Sequence, residues 1–499
     1  MAMVLELYPC FVAFFVLFFV TFFVYGGLIF KKEVQPPSPP KFPIIGNLRQ
    51  LAQNKHITLR SWAHKYGPMM LIHMGSKPTL VVSSVAGARE ILKTQDLVFS
   101  NKFKTSIARK IFYNGKDVAL ASYSEYWRQV KSLCVLQLLN NKRIQSFRNV
   151  RDEEVALLIQ DIKYSSSKVV NLKKLFATLT FNIVCRVTVG KKYQGGKEAA
   201  FKKLLGQLSG LLSYSGVGIY VPWLHWVENF SGFSRRVEKV AKELDDFLEG
   251  VVEDHIIAME NEGAVNQDFV SILLENWKQN KDNGFSIDRE GIKAVTLDMF
   301  IAGTNTTAST LEWTMAMLMK NPDIMSKLQN EVRTIGKGKT KISEDDQEKM
   351  QYLKAVFKES MRINTPTPLL YREARDDVKV MGYDIKSRTR VFINVWAIAR
   401  DPALWDNPEE FRPERFVDNP INYNGLHFEY LPFGAGRRIC PGMRFGMAVD
   451  ELALANLVNM FDFAMPDGKT TEDLDLDGAT GISVGKKSPL MVVANPHFY

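Results

Sequence analysis

Phe433-Gly434-Ala435-Gly436-Arg437-Arg438-Ile439-Cys440-Pro441-Gly442 sets a lone cysteine among glycines and arginines, directly ahead of an apolar helical run from Met443 to Phe461. Gly434, Gly436 and Gly442 offer backbone torsions and close approaches that a Cβ resists. Pro441 suits the first turn of the helix that follows. Cys440 then stands just before a helix N-terminus, where free N–H groups and the dipole favour a thiolate, the state a metal ligand needs. An arbitrary single cysteine is far more often a small buried hydrophobe. Here no second cysteine or nearby histidine completes a zinc set, yet two arginines flank the thiol. One thiolate is enough where a macrocycle supplies the other ligands of an iron, and arginines suit the carboxylates that such a group carries.

The run resembles the haem-binding loop of the cytochromes P450, Phe-x-x-Gly-x-Arg-x-Cys-x-Gly, with Phe433, Gly436, Arg438, Cys440 and Gly442 in the fixed positions. The resemblance implies a mainly α fold with smaller β-sheets, one large catalytic domain, and haem b with Cys440 as its axial thiolate. That overrides the two or three domains that 499 residues would otherwise allow.

Composition narrows the setting. Four cysteines (Cys10, Cys134, Cys185, Cys440) are too scattered for a disulfide framework, which points to a reducing compartment. The net charge of +10 comes with no basic tract interleaved with aromatics, so nucleic acid is not expected as a partner. A basic face toward an anionic membrane or an acidic redox protein fits better. Residues 7–30 are uncharged and rich in Phe, Val and Leu, long enough to span a bilayer. Glu6 precedes them and Lys31-Lys32 follow, the reverse of a cleaved signal peptide, and the lysines place the rest of the chain in the cytosol. The expected organisation is an anchor over 1–30, a basic, proline-rich hinge over 31–47 and a catalytic domain over 48–499, in the endoplasmic reticulum membrane with a lumenal N-terminus.

Four further motifs follow in order. Trp127 and Lys131 share a helix face, and the resemblance makes them contacts of a haem propionate, with Lys131 where Arg is commoner. Ala294 to Met319 reads as one long helix, interrupted in character by Ala302-Gly303-Thr304-Asn305-Thr306-Thr307. Hydroxyls there can displace the backbone ladder and open a groove. The run resembles the family's oxygen-binding motif, with Thr306 as the hydroxyl that serves dioxygen and Asn305 in place of the usual proton-relaying acid. Glu359 and Arg362 lie three apart on a helix, and with Arg415 they resemble a structural ion network that supports the haem loop. Arg372, after the helix-breaking Thr365-Pro366-Thr367-Pro368, resembles another propionate contact.

No dinucleotide or flavin fingerprint is present, so electrons come from outside, and the resemblance implies NADPH–cytochrome P450 reductase, with cytochrome b5 as a second donor. The anchor, the hinge and the wording of the motifs resemble the plant A-type branch, and the stretches Lys110–Asp117 with Tyr126–Lys131, and Leu431–Phe461, are similar to its furanocoumarin-forming enzymes. These cleave the side chain of a dihydrofuranocoumarin, so the implied substrate is small, apolar and aromatic. Pocket candidates are Asn114, Ala119, Met299, Ala302, Thr306, Thr367, Leu369, Thr480 and Ile482. Oxidation of another coumarin, terpenoid or phenylpropanoid stays open, as do a reductase-independent haem isomerase or dehydratase and a non-catalytic haem protein.

Overall fold

A computed structural model describes residues 33–497 apart from 52–53, 166–167, 215–216, 225, 227–229, 262–266, 280–284, 480 and 482. The expected anchor over 1–30 lies outside them. None of the described helices is long and apolar enough to cross a membrane. The helices that position the site are, in chain order, α1 (Glu125–Leu133), α2 (Leu172–Val189), α3 (Phe233–Asn261), α4 (Arg289–Lys320), α5 (Gln351–Ile363) and α6 (Met443–Met460).

Helix α4 is the axis of the molecule. Asp288 caps it by accepting the Gly291 N–H, and its residues are buried on every side from Gly291 to Asp298 and again from Thr310 to Met319. A helix apolar all round belongs in a core. It packs against α2, α5, α6 and α3. Helix α2 closes at Gly190, whose left-handed φ of 70° ends the helix as only glycine does cheaply.

Strands are few and short: β1 (Met69–Met74), β2 (Lys77–Val82), β3 (Val169–Asn171), β4 (Leu369–Glu373), β5 (Val378–Val380), β6 (Tyr383–Ile385), β7 (Arg390–Asn394), β8 (Phe461–Ala464) and β9 (Met491–Pro496). The main sheet has the order β1-β2-β7-β4, with β2 and β7 parallel and both outer pairs antiparallel. Gly75-Ser76-Lys77-Pro78, a turn signal between strand-like runs in the sequence, is the β1–β2 hairpin, with Gly75 at φ 61°. The proline-rich stretch contains no helix, as expected, but it is not a free spacer. Leu71 donates to the Pro37 carbonyl at 2.8 Å and Asn47 to the His73 carbonyl at 2.7 Å, so it is laid onto β1.

The pair Gly195-Gly196 reads from the sequence as a turn in a surface connection, and this expectation fails: the pair opens the helix Gly195–Ser213.

Candidate active site

The loop around Cys440 is shaped by two of its three glycines. Gly436 has φ 66°, and a Cβ there would come within 2.4 Å of the Leu92 carbonyl oxygen; Gly434 has φ 74°. Gly442 departs from expectation: its φ is −87°, which any residue adopts, and a Cβ there would meet nothing within 4 Å. It borders open cavity instead. Helix α6 begins at Met443 with Gly442 as its cap, so Pro441 stands outside the first turn. The Cys440 N–H donates to the Phe433 carbonyl at 3.0 Å, which folds the loop back on itself. Burial raises the thiol above its ordinary value, against the pull of the Gly442 and Met443 amides and of the Lys131 charge. Burial thus opposes the pull of the helix end on this sulfur.

Cys440 looks into a cavity of about 390 Å³. Phe433, Ile439, Gly442 and Phe445 surround the sulfur side. Ala119, Met299, Ala302, Thr306 and Thr367 line it as expected. Leu369 does not: it packs with Met70 and Phe392, while Leu370 lines the cavity. Strand β4 starts at Leu369, and the alternation of faces along a strand puts its neighbour inside. Asn114 is not on the wall either. It sits in a left-handed turn at φ 60°, its N–H donating to the Arg109 carbonyl at 2.7 Å. Thr480 and Ile482 lie outside the described residues.

Lys102, Lys131 and Arg438 line this cavity, with the Arg372 charge close to all three. Burial lowers Arg372 to about 10. Burial, then the Arg372 charge, lowers Arg438 to about 9. Lys131 falls to about 8, through burial and then both arginines. Lys102 is held well below its usual value by burial and the same pair. The Nε and Nη2 of Arg372 are buried and without a hydrogen-bond partner among the described residues. Such a set calls for a multiply charged anion. Trp127 corrects one expectation. Its indole N–H donates to the Val118 carbonyl at 3.0 Å, so it is spent, and the Arg438 guanidinium lies 3.8 Å over its ring. Trp127 supports a cation and does not itself offer a donor.

Helix α4 crosses the opposite wall without a break. The Thr306 hydroxyl donates to the Ala302 carbonyl one turn back, and Thr310 donates to the Thr306 carbonyl at 3.0 Å. Any groove here is made by small side chains, not by a ruptured ladder. Asn305 is exposed and is not on the cavity wall. On α5, Glu359 and Arg362 are wholly buried and paired twice, at 2.7 and 2.9 Å, and Arg415 joins at 3.2 Å. Arg362 also donates to the carbonyls of Ala399, Pro408 and Glu410, which fastens the irregular chain leading to the cysteine loop.

The family model for Cytochrome P450 matches residues 36–492. The chain belongs to the cytochrome P450 family. It is 55% identical to psoralen synthase of Ammi majus over 498 residues, 99% of each chain. It is 55% identical to psoralen synthase of Pastinaca sativa over 455 residues, 91% of this chain and 95% of the other. A structure described as zebra fish cytochrome P450 with abiraterone superposes with a TM-score of 0.76 at 24% identity, covering 89% of this chain and 99% of that one, and speaks for the fold alone.

A cytochrome P450 carries haem through a cysteine thiolate and takes electrons from a reductase to oxidise a small molecule. This P450 has the residues for it: a cavity-facing Cys440, and a cluster of four cations in which Arg372 keeps two nitrogens without a partner among the described residues, a match for a propionate. Bound there, the haem supplies oxygen-activating redox chemistry, tuned by the sulfur.

The sequence reading missed Lys102, because a lysine flanked by Asn101 and Phe103 carries no pattern of its own. It also missed three buried acids, Asp117, Asp298 and Asp450. Burial raises Asp450 and Asp298 well above the usual carboxylate range and Asp117 to about 6. An acid inside an apolar helical run, such as Asp298 between Leu297 and Met299, was the available signal.

Proposed function

We propose that this P450 is an NADPH- and O2-dependent monooxygenase that converts a dihydrofuranocoumarin, marmesin or columbianetin, into psoralen or angelicin. What carries the reading is the 55% identity to psoralen synthase across 498 residues. The mostly aliphatic walls, Ala119, Met299, Ala302 and Leu370, are consistent with a flat apolar guest.

The reaction removes hydrogen from the ring CH2 next to the carbon that bears the hydroxyisopropyl group; the bond to that group then breaks as the furan double bond forms, and the side-chain hydroxyl gives up its hydrogen to become the carbonyl of acetone. Acetone and the furan leave, and one O2 with two electrons and two protons ends as two waters. The chain's own part is to hold the ring system between Ala302 and Thr367, keep water from the sulfur, and pass protons through the Thr306 hydroxyl. Asn305 cannot ionise, so on this reading it orients water and supplies no proton. Arg372, Arg438, Lys131 and Lys102 hold the propionates, and Glu359, Arg362 and Arg415 brace the loop. Residues 1–30 anchor the enzyme in the endoplasmic reticulum membrane, where lipid, the reductase and cytochrome b5 are its partners.

Microsomes carrying the protein, supplied with linear and angular dihydrofuranocoumarins with and without NADPH, test this. Formation of psoralen or angelicin plus acetone, only with NADPH, is the expected result. Turnover without NADPH would instead mark an isomerase or dehydratase, and oxidation of other coumarins alone would refute the substrate.

A further inference from the structure

Two walls of the cavity meet at one carboxyl. Asp298 lies on α4 eight residues before Thr306, about 12 Å along the axis. It is 6% exposed and lines the cavity. Its Oδ2 accepts the N–H of Val118 at 2.6 Å and of Ala119 at 3.3 Å. Those amides belong to residues 112–124, which have no helix or strand to hold their shape. From the other side, Val118 O accepts from Trp127 and, at 3.2 Å, from Arg438, which also donates to Ala121 O at 2.6 Å. The same loop is thus tied to the cysteine loop by Arg438 and to α4 by Asp298. The loop has further ties beside these: Lys116 reaches Asp288 and Glu290 through its side chain, its carbonyl accepts the Tyr126 hydroxyl at 3.0 Å, and Asp117 accepts the Leu120 N–H at 2.6 Å, but only Asp298 holds the Val118 and Ala119 amides among the described residues.

We propose that Asp298 is the positioning residue of the cavity roof. By gripping the Val118 and Ala119 amides it fixes the height of that loop over the substrate, and so sets which guests fit. Ala119, which faces the cavity, has no side-chain reach of its own; its location is the location of its backbone. Burial first, and the neighbouring Asp117 charge second, push the Asp298 carboxyl toward its neutral form. A neutral acid accepts through its carbonyl oxygen as an amide does, so asparagine should serve in its place. The inference rests on the cavity being the substrate chamber of a P450, and not on the furanocoumarin reading.

The test uses the full-length, haem-loaded protein and its Asp298→Ala, Asp298→Leu and Asp298→Asn variants, each checked for the thiolate-type carbon-monoxide spectrum. Leucine keeps the volume without the acceptor. One measurement is hydrogen exchange at residues 117–121. The other is spectral titration with a small azole, 4-phenylimidazole, and a bulky one, clotrimazole. The alanine and leucine variants should exchange the Val118 and Ala119 amides at least tenfold faster, and should shift the ratio of affinities at least tenfold toward the bulky azole. Asparagine should restore both. Unchanged exchange and ratio in alanine and leucine, or an asparagine variant that behaves like alanine, overturns the proposal. Marmesin failing to bind any of the four proteins would count against the furanocoumarin substrate and leave this result intact.

Discussion

Arg372 shows how much a single side chain can disclose. Its guanidinium is buried, its charge disfavoured, and two of its nitrogens unpaired. Such a group weakens a protein unless an anion arrives. Arg372→Leu should therefore leave the haem-free protein at least as stable as the wild type in a denaturant titration. It should also lose haem at least about tenfold faster, since a charged hydrogen bond contributes about 1.5–3 kcal/mol. At Asn305 the expectation has the other sign. Asn305→Asp restores an ionisable group beside Thr306 and should speed NADPH consumption by up to about tenfold, below the ~10² of a fully placed general acid. The ratio of peroxide released to NADPH oxidised checks it. Single residues were legible where a motif surrounded them, as at Cys440 and Thr306. Leu369 was misplaced by one position because a strand's faces depend on where it starts. Lys102 could not be read, because its meaning comes from Arg372 and Arg438, distant in sequence and near in space.

At the scale of elements, the ion network of α5 converts a pattern into a brace. Glu359 is wholly buried and receives Arg362, Arg415 and the Arg412 N–H. Glu359→Gln strands two buried cations and should cost about 3–5 kcal/mol, seen as a lowered melting temperature with loss of haem. The short helix Glu344–Gln347 offers a pH test. Its capping box joins Ser343 and Asp346, and Lys339 lies 2.5 Å from that carboxylate. Burial pushes Asp346 up, but Lys339 and Ser343 outweigh it and hold it at about 2, below its ordinary 3.8. A lowered carboxylate stabilises the fold fully above its unfolded value, and the benefit vanishes as pH falls through the folded one. Asp346→Asn should thus melt below wild type at pH 5–7, and the gap should narrow from pH 4 downward. The long helices were legible from periodicity. Their junctions were not: α6 begins later than Pro441 implied, and a paired glycine opens a helix where a turn was expected. Both errors concern ends, where local preference is weak and packing decides.

Across the whole molecule, one cysteine loop and one axial helix face each other over a cavity of about 390 Å³, with cations at its edge and a braced loop beneath. The sequence conveyed this architecture through the cysteine loop and the four further motifs, remote from one another in the chain. It did not convey the roof, because residues 112–124 combine local turns, such as the Leu120 N–H on the Asp117 carboxylate, with ties to Asp298, Trp127 and Arg438 that lie outside the segment. The central claim is that the Cys440 sulfur is the iron ligand. The most direct measurement is the carbon-monoxide difference spectrum of reduced, haem-supplemented protein, wild type against Cys440→Ser. The wild type should give the thiolate-type band and the serine variant should lose it; an identical band in both would contradict the account.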